Sequence, residues 1–271
     1  MAELDVLFQG VPGAICCHHV DGVLVDPGPA SGAERLFAAL GDAPPPRAIA
    51  LTHIHLDHAG ATGLVLERFP DAEVWVHERG ARHVVDPSRL VASATRIYGD
   101  RMEELWGRIV PVPAERLRVL EGEEGEVGGW RWAYTPGHAS HHVSYLHDGV
   151  AYVGDIGGVR IGDGPVLPPT PPPDIDVEVW NRSLDLVAAW APERLAITHF
   201  GSFGDVEAQI AAVREGLARW AALARDAGAE EFERQVRAEI GDRPSYLEAM
   251  PPETLYGGLH RYWQMRDNPS S

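Results

Sequence analysis

The chain of 271 residues has few cysteines, few basic side chains and no long apolar run. Its only cysteines, Cys16 and Cys17, are adjacent within an apolar stretch, so we expect reduced core residues and not a disulfide. No run of about 18 apolar residues is present, which predicts no transmembrane helix. The N-terminus lacks the basic and apolar regions of a signal peptide. These features favour a cytoplasmic location.

The shortage of basic residues restricts the class of partner. Lys and Arg number 23 against 40 Asp and Glu, giving a formal net charge of −17. Nucleic acids and anionic membranes are bound through basic side chains, so we expect neither as a partner and predict a small-molecule substrate. A composition of 45% hydrophobic and 23% charged residues is typical of a globular protein. The length suits one large domain, or a domain with a small accessory one.

Predicted strands and helices alternate along the first part of the chain. Residues 4–9 are apolar enough for a strand, and Ser31 with Glu34 has the spacing of a capping box before a helix. Residues 78–110 are predicted to be helical. This segment would suit a helical excursion over the site, but a packing role is favoured. The alternation predicts layered α/β structure in which ligand loops follow strand ends.

A dense cluster of metal-binding side chains lies in the stretch Thr-His-Ile-His-Leu-Asp-His at residues 52–58. His53 and His55 are two positions apart, which places both side chains on one face of an extended chain. Asp57 and His58 follow closely enough to hold a second ion. Imidazole and carboxylate are common ligands of divalent metals, so the stretch predicts a metal site after a buried strand.

Three later polar residues also follow apolar strands. These residues are His138, Asp155 and His199, and each borders a glycine or threonine turn. A lone histidine after a strand is usually structural. Three such strand ends, with the 52–58 cluster upstream, indicate instead that the later residues complete the same metal site.

The complete motif series resembles that of the metallo-β-lactamase-fold hydrolases, in order and at similar spacing, over about residues 4–205. It reads Thr52-His53-Ile54-His55-Leu56-Asp57-His58, Thr135-Pro136-Gly137-His138, Val153-Gly154-Asp155 and Thr198-His199. The resemblance implies an α/β fold, the αβ/βα four-layer sandwich of two sheets flanked by helices, with metals at one edge. After residue 205 the apolar residues recur with the period of an α-helix, which predicts a C-terminal helical extension. We therefore expect a catalytic domain over 1–204 and the extension over 205–271.

The resemblance also implies roles for the candidate ligands. The first ion would be held by His53, His55 and His138, the second by Asp57, His58 and His199, with Asp155 bridging both. Asp26 would lie behind the site. Beyond its ligand role, Asp57 is the residue for which we predict a catalytic role. Imidazole and carboxylate without thiolate suit two zinc ions, although iron or manganese is possible.

Two ions about 3.5–4 Å apart can bridge a water and lower its pKa towards neutrality, so we predict hydrolysis by a bridging hydroxide. True β-lactamases of this fold generally lack the bridging aspartate, so Asp155 favours the glyoxalase II, lactonase and phosphodiesterase branches. After Asp155 the only nearby base is Arg160, which argues against glutathione thioesters. The segment 156–198 lacks the tyrosine of many lactonases. The expected substrate is a small, neutral ester, lactone or thioester.

Other interpretations stay open from the sequence. The protein could be a mononuclear iron sulfur dioxygenase, a phosphodiesterase, or a metal-binding scaffold without turnover. The prolines of 168–173 with Trp180 could form an apolar wall over the metals, or a rigid connector whose tryptophan packs in the core. The extension at 205–271 could close the substrate pocket or form a homodimer contact.

Overall fold

The first β-sheet contains the strands of the N-terminal half. The structure is a computed structural model that describes residues 1–268, so residues 269–271 of the predicted extension lie outside it. The strands are β1 (Ala2–Asp5), β2 (Cys16–Val20), β3 (Val23–Val25), β4 (Ala48–Ala50), β5 (Glu73–His77) and β6 (Leu117–Leu120). They lie in chain order, antiparallel from β1 to β3 and parallel from β3 to β6. The carboxyl ends of the parallel strands therefore meet at one edge.

The second β-sheet follows in the chain, and its six strands also lie side by side in chain order. Its strands are β7 (Glu124–Val127), β8 (Trp130–Tyr134), β9 (Val143–His147), β10 (Val150–Tyr152), β11 (Arg194–Ile197) and β12 (Gly201–Phe203). Neighbours are antiparallel except for β10 and β11, which run parallel. Because β10 and β11 run the same way, the residues that follow them emerge side by side.

Helices cover the outer faces of both sheets. Those that pack against the first sheet are α1 (Ala33–Leu40), α2 (Leu56–Ala59), α3 (Thr62–Arg68), α4 (Glu78–Val85), α5 (Ser88–Tyr98) and α6 (Met102–Trp106). Those against the second are α7 (Val177–Ala189), α8 (Val206–Asp226), α9 (Ala229–Ile240), α10 (Pro244–Ala249) and α11 (Pro252–Asp267). Within residues 1–268, no helix combines the length and apolar character needed to span a membrane.

The alternation of side chains along β3 shows how the layers form. Leu24 belongs to the apolar cluster under the first group of helices, whereas Val23 and Val25 belong to the cluster between the sheets. Successive strand residues point to opposite faces, so a strand apolar at every position is buried on both sides. Between the sheets, the ring centroids of Trp75 and Trp130 lie 6.0 Å apart, and both side chains are fully buried. The four-layer αβ/βα sandwich predicted from the sequence is confirmed.

Two local predictions near the N-terminus are wrong. The strand predicted at 4–9 ends at Asp5, because the Asp5 carboxylate accepts hydrogen bonds from the backbone N–H groups of Leu7 and Gly13, at 2.9 and 2.8 Å, which closes a turn. The capping box also fails. Ser31 Oγ donates to the carbonyl of Leu105, 2.6 Å away, and helix α1 begins without a side-chain cap.

The helix predicted over 78–110 is three helices. The first break lies at Pro87, because the ring of a proline disfavours helical backbone at the preceding residue. The second lies at Gly99, whose φ of 54° belongs to the left-handed region that ends many helices. These breaks allow α5 and α6 to change direction over the sheet edge.

The C-terminal helices share a hydrophobic core with the outer face of the second sheet. That apolar cluster runs from Ala151 of β10 to Tyr262 of α11. A Cβ on Gly216 of α8 would come within 2.7 Å of Pro168, so helix and proline segment are in close contact. Gln209 Nε2 also donates to the Gly157 carbonyl at 2.8 Å. The division of the chain after residue 204 stays a prediction, but the shared core predicts cooperative unfolding.

Replacing Trp220 by alanine tests this shared core. Trp220 is fully buried, lies 5.9 Å from the ring of Phe232, and donates from Nε1 to Glu239 Oε2 at 3.0 Å. Because the change leaves a large cavity, we expect Trp220→Ala to lower the free energy of unfolding by about 3–5 kcal/mol. Urea unfolding followed by circular dichroism measures this loss.

The control is Met265→Ala, at a position that is 51% exposed, and it should change stability by no more than about 0.5 kcal/mol. The shared-core account predicts one transition for both proteins. A separate early transition in Trp220→Ala, with the remainder as stable as the wild type, would contradict it.

Candidate metal centre

The structure brings all seven predicted ligands together at one edge of the sandwich. They lie on four segments, each of which follows a strand: His53, His55, Asp57 and His58 after β4, His138 after β8, Asp155 after β10, and His199 after β11. Two hydrogen bonds join the sheets at this edge. Val143 N donates to the Thr52 carbonyl at 2.7 Å, and Cys16 N donates to the Thr198 carbonyl at 2.8 Å.

Three histidine nitrogens converge in the first half of the site. Nδ1 of His55 lies 3.0 Å from Nε2 of His53 and 3.0 Å from Nε2 of His138. Oδ2 of Asp155 lies 3.3 Å from the same His138 nitrogen. These three histidines form a group whose ligand atoms are close enough to hold one metal ion.

The second half of the site is richer in carboxylates. Nε2 of His58 lies 3.2 Å from Asp155 Oδ1 and 3.6 Å from Asp57 Oδ2. Nε2 of His199 lies 3.5 Å from each of the same two oxygens. Asp57, His58 and His199 form a second group with metal-binding geometry. The two oxygens of Asp155 therefore face different halves of the site.

Glycines allow the ligand loops to approach their neighbours this closely. Gly154 has a φ of 45°, and a Cβ there would lie 2.5 Å from Thr52 Oγ1. Gly137 has a φ of 131°, and its Cβ would lie 2.3 Å from the Cα of Trp180. Only glycine fits both the backbone angle and the space at these two positions.

Asp26, predicted to lie behind the site, is fully buried and holds three segments in register. Its Oδ1 accepts the backbone N–H of Thr52 at 2.8 Å. Its Oδ2 accepts from Thr52 Oγ1 at 2.7 Å, from His58 Nδ1 at 2.8 Å and from Thr198 Oγ1 at 2.8 Å. Hydrogen bonds to a charged acceptor contribute about 1.5–3 kcal/mol each, so this carboxylate stabilises the strand ends strongly.

The outer nitrogens of the ligand histidines fix which ring atom faces inward. His58 Nδ1 lies against the Asp26 carboxylate, His138 Nδ1 against the Pro169 carbonyl at 3.0 Å, and His199 Nδ1 against the Ala14 carbonyl at 2.8 Å. Each partner can only accept, so each Nδ1 carries a proton and donates it. The inward Nε2 of a neutral ring is then a lone pair ready to bind a metal.

In His53 the outer nitrogen Nδ1 also has an acceptor, the hydroxyl oxygen of Thr52. The hydroxyl proton of Thr52 is donated to Asp26, so the 3.1 Å contact between Thr52 Oγ1 and His53 Nδ1 is one in which the histidine donates. Lone pairs of His53 and His138 therefore face His55 Nδ1, which carries at most one proton. His58 Nε2, His199 Nε2 and Asp155 Oδ1 are buried with no hydrogen-bond partner among the described residues. This donor set fits divalent metal ions.

The pKa shifts differ between the histidine-rich first half of the site and its carboxylate-rich second half. Burial lowers the pKa of His138 to about 4, against a smaller opposing effect of Asp155. Burial also disfavours a charged His58, but the carboxylates of Asp155, Asp57 and Asp26 outweigh it and raise the pKa of His58 well above its ordinary value. Burial acts against ionised Asp155, yet the surrounding histidines hold the pKa of Asp155 well below its usual range. The site thus concentrates negative charge in its second half, as a cation site requires.

A cleft of ≈ 390 Å³ opens onto this centre. Its lining includes three of the ligands, His55, Asp57 and Asp155. The other lining residues are Phe8, Leu56, Leu90, Ser93, Ala94, Ile97, Tyr98, Arg101, Leu105, Trp106, Pro169, Pro171–Pro173, Leu247–Pro251 and Glu253–Leu255. Arg101 is the one Arg or Lys among the described residues of this lining. Most of the wall is apolar, as in many small-molecule sites.

The cleft walls answer several questions that the sequence left open. The prolines at 171–173 do line the cleft, whereas Trp180 is fully buried and packs edge-on against His138, at 5.5 Å between ring centroids. Residues 247–255 of the C-terminal extension form one wall. Helix α5, which was expected to pack in preference to covering the site, supplies another part of the wall. Burial, with the carboxylates of Asp57 and Glu253, raises the pKa of Tyr98 in that wall.

Sequence patterns did not reveal several groups that orient the ligands. The carbonyls of Ala14 and Pro169 fix two ligand rings, and a backbone carbonyl has no signature in a sequence. The hydroxyls of Thr52 and Thr198 were also missed as a pair. Each directly precedes a ligand histidine after a strand, and this repeat was the available signal.

Comparison with known sequences identifies the family. The profile of the metallo-beta-lactamase superfamily matches residues 15–199. A metallo-beta-lactamase fold-containing protein of Sulfurisphaera tokodaii is 33% identical over 159 residues, covering 56% of this chain and 60% of the relative. A hydroxyacylglutathione hydrolase of Xanthomonas campestris pv. campestris is 30% identical over 156 residues, covering 57% of this chain and 48% of that enzyme. The matched region thus spans roughly half of these relatives.

Comparison with solved structures shows the same fold. An archaeal metallo-beta-lactamase superfamily protein from Sulfolobus tokodaii superposes with a TM-score of 0.62 at 26% identity, covering 89% of this chain and 88% of the other. The protein TTHA1623, solved in a di-iron-bound form, gives a TM-score of 0.56 at 26% identity, covering 73% of this chain and 93% of the other.

The substitution Asp26→Asn tests how the ligands are held. An amide keeps the size of the side chain but replaces one acceptor oxygen by a donor, which would face Thr52 N or the three donors at Oδ2. Groups that support metal ligands typically account for 10–100-fold in metal affinity, so we expect Zn²⁺ to bind about 10–100-fold more weakly. Competition against a chromophoric chelator measures the affinity.

The matched control is Asp71→Asn, at a fully exposed position 3.9 Å from Arg116. It should bind Zn²⁺ like the wild type. Equal affinities for Asp26→Asn and the wild type would show that Asp26 does not position the ligands.

Proposed function

The chain belongs to the metallo-beta-lactamase superfamily, and from that premise we propose that it is a dinuclear metal-dependent hydrolase of a small, neutral and partly apolar ester, lactone or thioester. The observation that carries the proposal is the position of Asp155. Its Oδ2 lies 3.3 Å from His138 Nε2, and its Oδ1 lies 3.2 Å from His58 Nε2. One carboxylate thus faces both groups of ligands, as a bridging ligand must.

The assignment of ligands follows from the two groups. His53, His55 and His138 would hold one ion, Asp57, His58 and His199 the other, and Asp155 both. Imidazole and carboxylate without thiolate favour zinc, with iron or manganese as alternatives. When bound, the ions supply a water activated to hydroxide near neutral pH and an electrophile for the carbonyl oxygen of the substrate.

Asp57 is the ligand placed to act in catalysis. Its side chain is 21% exposed, whereas that of Asp155 is 4% exposed, and both contribute to the cleft. Neighbouring His58 and His199 overcome the effect of burial and hold the pKa of Asp57 at about 2. An ionised carboxylate that is both a candidate ligand and part of the cleft lining can orient the attacking water and accept a hydrogen bond from it.

The cleft supports the choice of substrate class. Its wall is mostly apolar and, apart from the ligands, carries Glu248 and Glu253 against a single cation, Arg101. Glutathione thioesters carry two carboxylates, and Arg101 is the one cation that the described lining offers them. Arg160, the base nearest to Asp155 in sequence, is bound to Asp205 at 2.8 Å and does not line the cleft. A neutral acyl compound suits these walls better.

A substrate panel tests the proposal directly. We expect metal-loaded protein to hydrolyse phenyl acetate, a γ-lactone or a simple thioester faster than S-lactoylglutathione, a β-lactam or bis(p-nitrophenyl) phosphate. Asp155→Asn removes one shared ligand oxygen. Because the charge stabilisation that a metal ion gives is worth several kcal/mol, kcat/KM should fall by at least about 100-fold.

The matched control is Asp185→Asn, which removes a surface ion pair with Arg214 and should leave kcat/KM unchanged. Turnover confined to phosphodiesters would replace the proposal by a phosphodiesterase. Oxygen consumption with a persulfide by protein holding one iron per chain would replace it by a sulfur dioxygenase. Two bound ions without turnover of any compound would indicate a binding protein.

A further inference from the structure

Tyr98 differs from every other tyrosine of the chain in its hydroxyl group. All seven tyrosines fall within the described residues, and six of them have a hydrogen-bond partner for the hydroxyl. Those six are Tyr134, Tyr145, Tyr152, Tyr246, Tyr256 and Tyr262. Tyr98 has none among residues 1–268. Its oxygen is also absent from the buried unpaired atoms of this region, so it reaches accessible space.

The unpaired hydroxyl belongs to a residue of the cleft that opens onto the candidate metal centre. Tyr98 is the last residue of α5 and lines the same cleft as Asp57 and Asp155. Leu90, Ala94 and Ile97 lie on the same face of the helix, at spacings of three, four and seven or eight residues. On this face Ala94 is buried and Leu90 is half-buried, whereas Ile97 is 49% exposed, so the outer part of the face is open to the cleft.

Neighbouring aromatic rings hold the Tyr98 ring in place. The ring of Trp106 lies 5.1 Å away at an angle of 68°, in an edge-to-face contact. Trp106 in turn stacks on Phe8 at 5.5 Å, and both of these side chains are buried. A phenylalanine would make the same ring contacts. The packing of the ring therefore does not require the hydroxyl. Because the ring is held in place, the hydroxyl is available to a ligand in the cleft.

We infer that Tyr98 is a substrate-binding residue whose hydroxyl donates a hydrogen bond to the oxygen of the scissile acyl group, while the apolar arm of the substrate lies along Leu90 and Ile97. The inference rests on the hydrolase proposed above. A phenol is a protonated donor throughout the neutral range. A fixed donor in the cleft that Asp57 and Asp155 also line costs little reorganisation when negative charge develops on the acyl oxygen.

The substitution Tyr98→Phe isolates the hydroxyl, since it keeps the ring and its contacts with Trp106. Loss of one donor to a developing oxyanion typically costs about 10²–10³-fold in kcat. For metal-loaded protein and phenyl acetate, we expect kcat to fall about 100-fold and KM to rise by no more than about 12-fold. Bound metal should equal that of the wild type, which separates the effect from damage to the metal centre.

Tyr256→Phe is the matched control, because Tyr256 binds His260 on the surface and lies outside the cleft lining. It should retain the kcat and KM of the wild type. Equal kcat values for Tyr98→Phe and Tyr256→Phe would overturn the assignment of Tyr98. A fall in kcat accompanied by loss of metal would overturn it as well, by showing that Tyr98 supports the centre.

Binding of unreactive compounds tests Tyr98 independently of turnover. Acetanilide has a carbonyl oxygen in the place of that of phenyl acetate, and N-ethylaniline has a methylene there. A net hydrogen bond of about 0.5–1.5 kcal/mol predicts that the wild type binds acetanilide about 2–12-fold more tightly than N-ethylaniline. In Tyr98→Phe this ratio should be about 2–12-fold lower than in the wild type.

An unchanged ratio in Tyr98→Phe, or no preference in the wild type, would contradict the hydrogen bond. If the wild type hydrolyses none of the panel compounds but shows the acetanilide preference and loses it in Tyr98→Phe, the proposed hydrolase fails while the binding role of Tyr98 stands. The two failures are therefore distinguishable.

Discussion

The buried carboxylate of Asp26 is the contact on which the rest of the centre depends. Its two oxygens accept four hydrogen bonds, from the backbone and hydroxyl of Thr52, from His58 and from Thr198. These groups follow strands of different sheets, so the Asp26 side chain joins the sheets at the site edge, together with the backbone hydrogen bonds there. An ionised group buried this deeply is tolerated only where such donors surround it. The fold and the centre therefore stabilise each other.

The same arrangement prepares the inner atoms for metal. Donation from Nδ1 of His58, His138 and His199 to fixed acceptors leaves each Nε2 directed inward. Metal ligands must give up their protons when a cation binds, so metal binding, proton release and stability of this edge are coupled. Asp155 directs one oxygen to each half, and in the proposed dinuclear hydrolase it would be the ligand shared by both ions.

The parts of this account that the sequence could predict are those carried by local spacing. The i, i+2 pair His53 and His55, followed by Asp57 and His58, marks a metal site within six residues of chain. The cleft was not predictable in this way, because Tyr98 and the 247–255 wall are far apart in sequence and their proximity depends on tertiary packing. The capping box at Ser31 failed for the same reason, since the carbonyl of Leu105 takes its hydroxyl.

Anomalous diffraction from crystals of metal-loaded protein, collected on both sides of the metal absorption edge, tests the central claim most directly. The account predicts two peaks per chain about 3.5–4 Å apart, one beside His53, His55 and His138 and one beside Asp57, His58 and His199. The carboxylate of Asp155 should lie about 2.0–2.2 Å from both ions if they are zinc. A single peak at full occupancy, or an Asp155 side chain bound to one ion alone, would contradict the dinuclear centre.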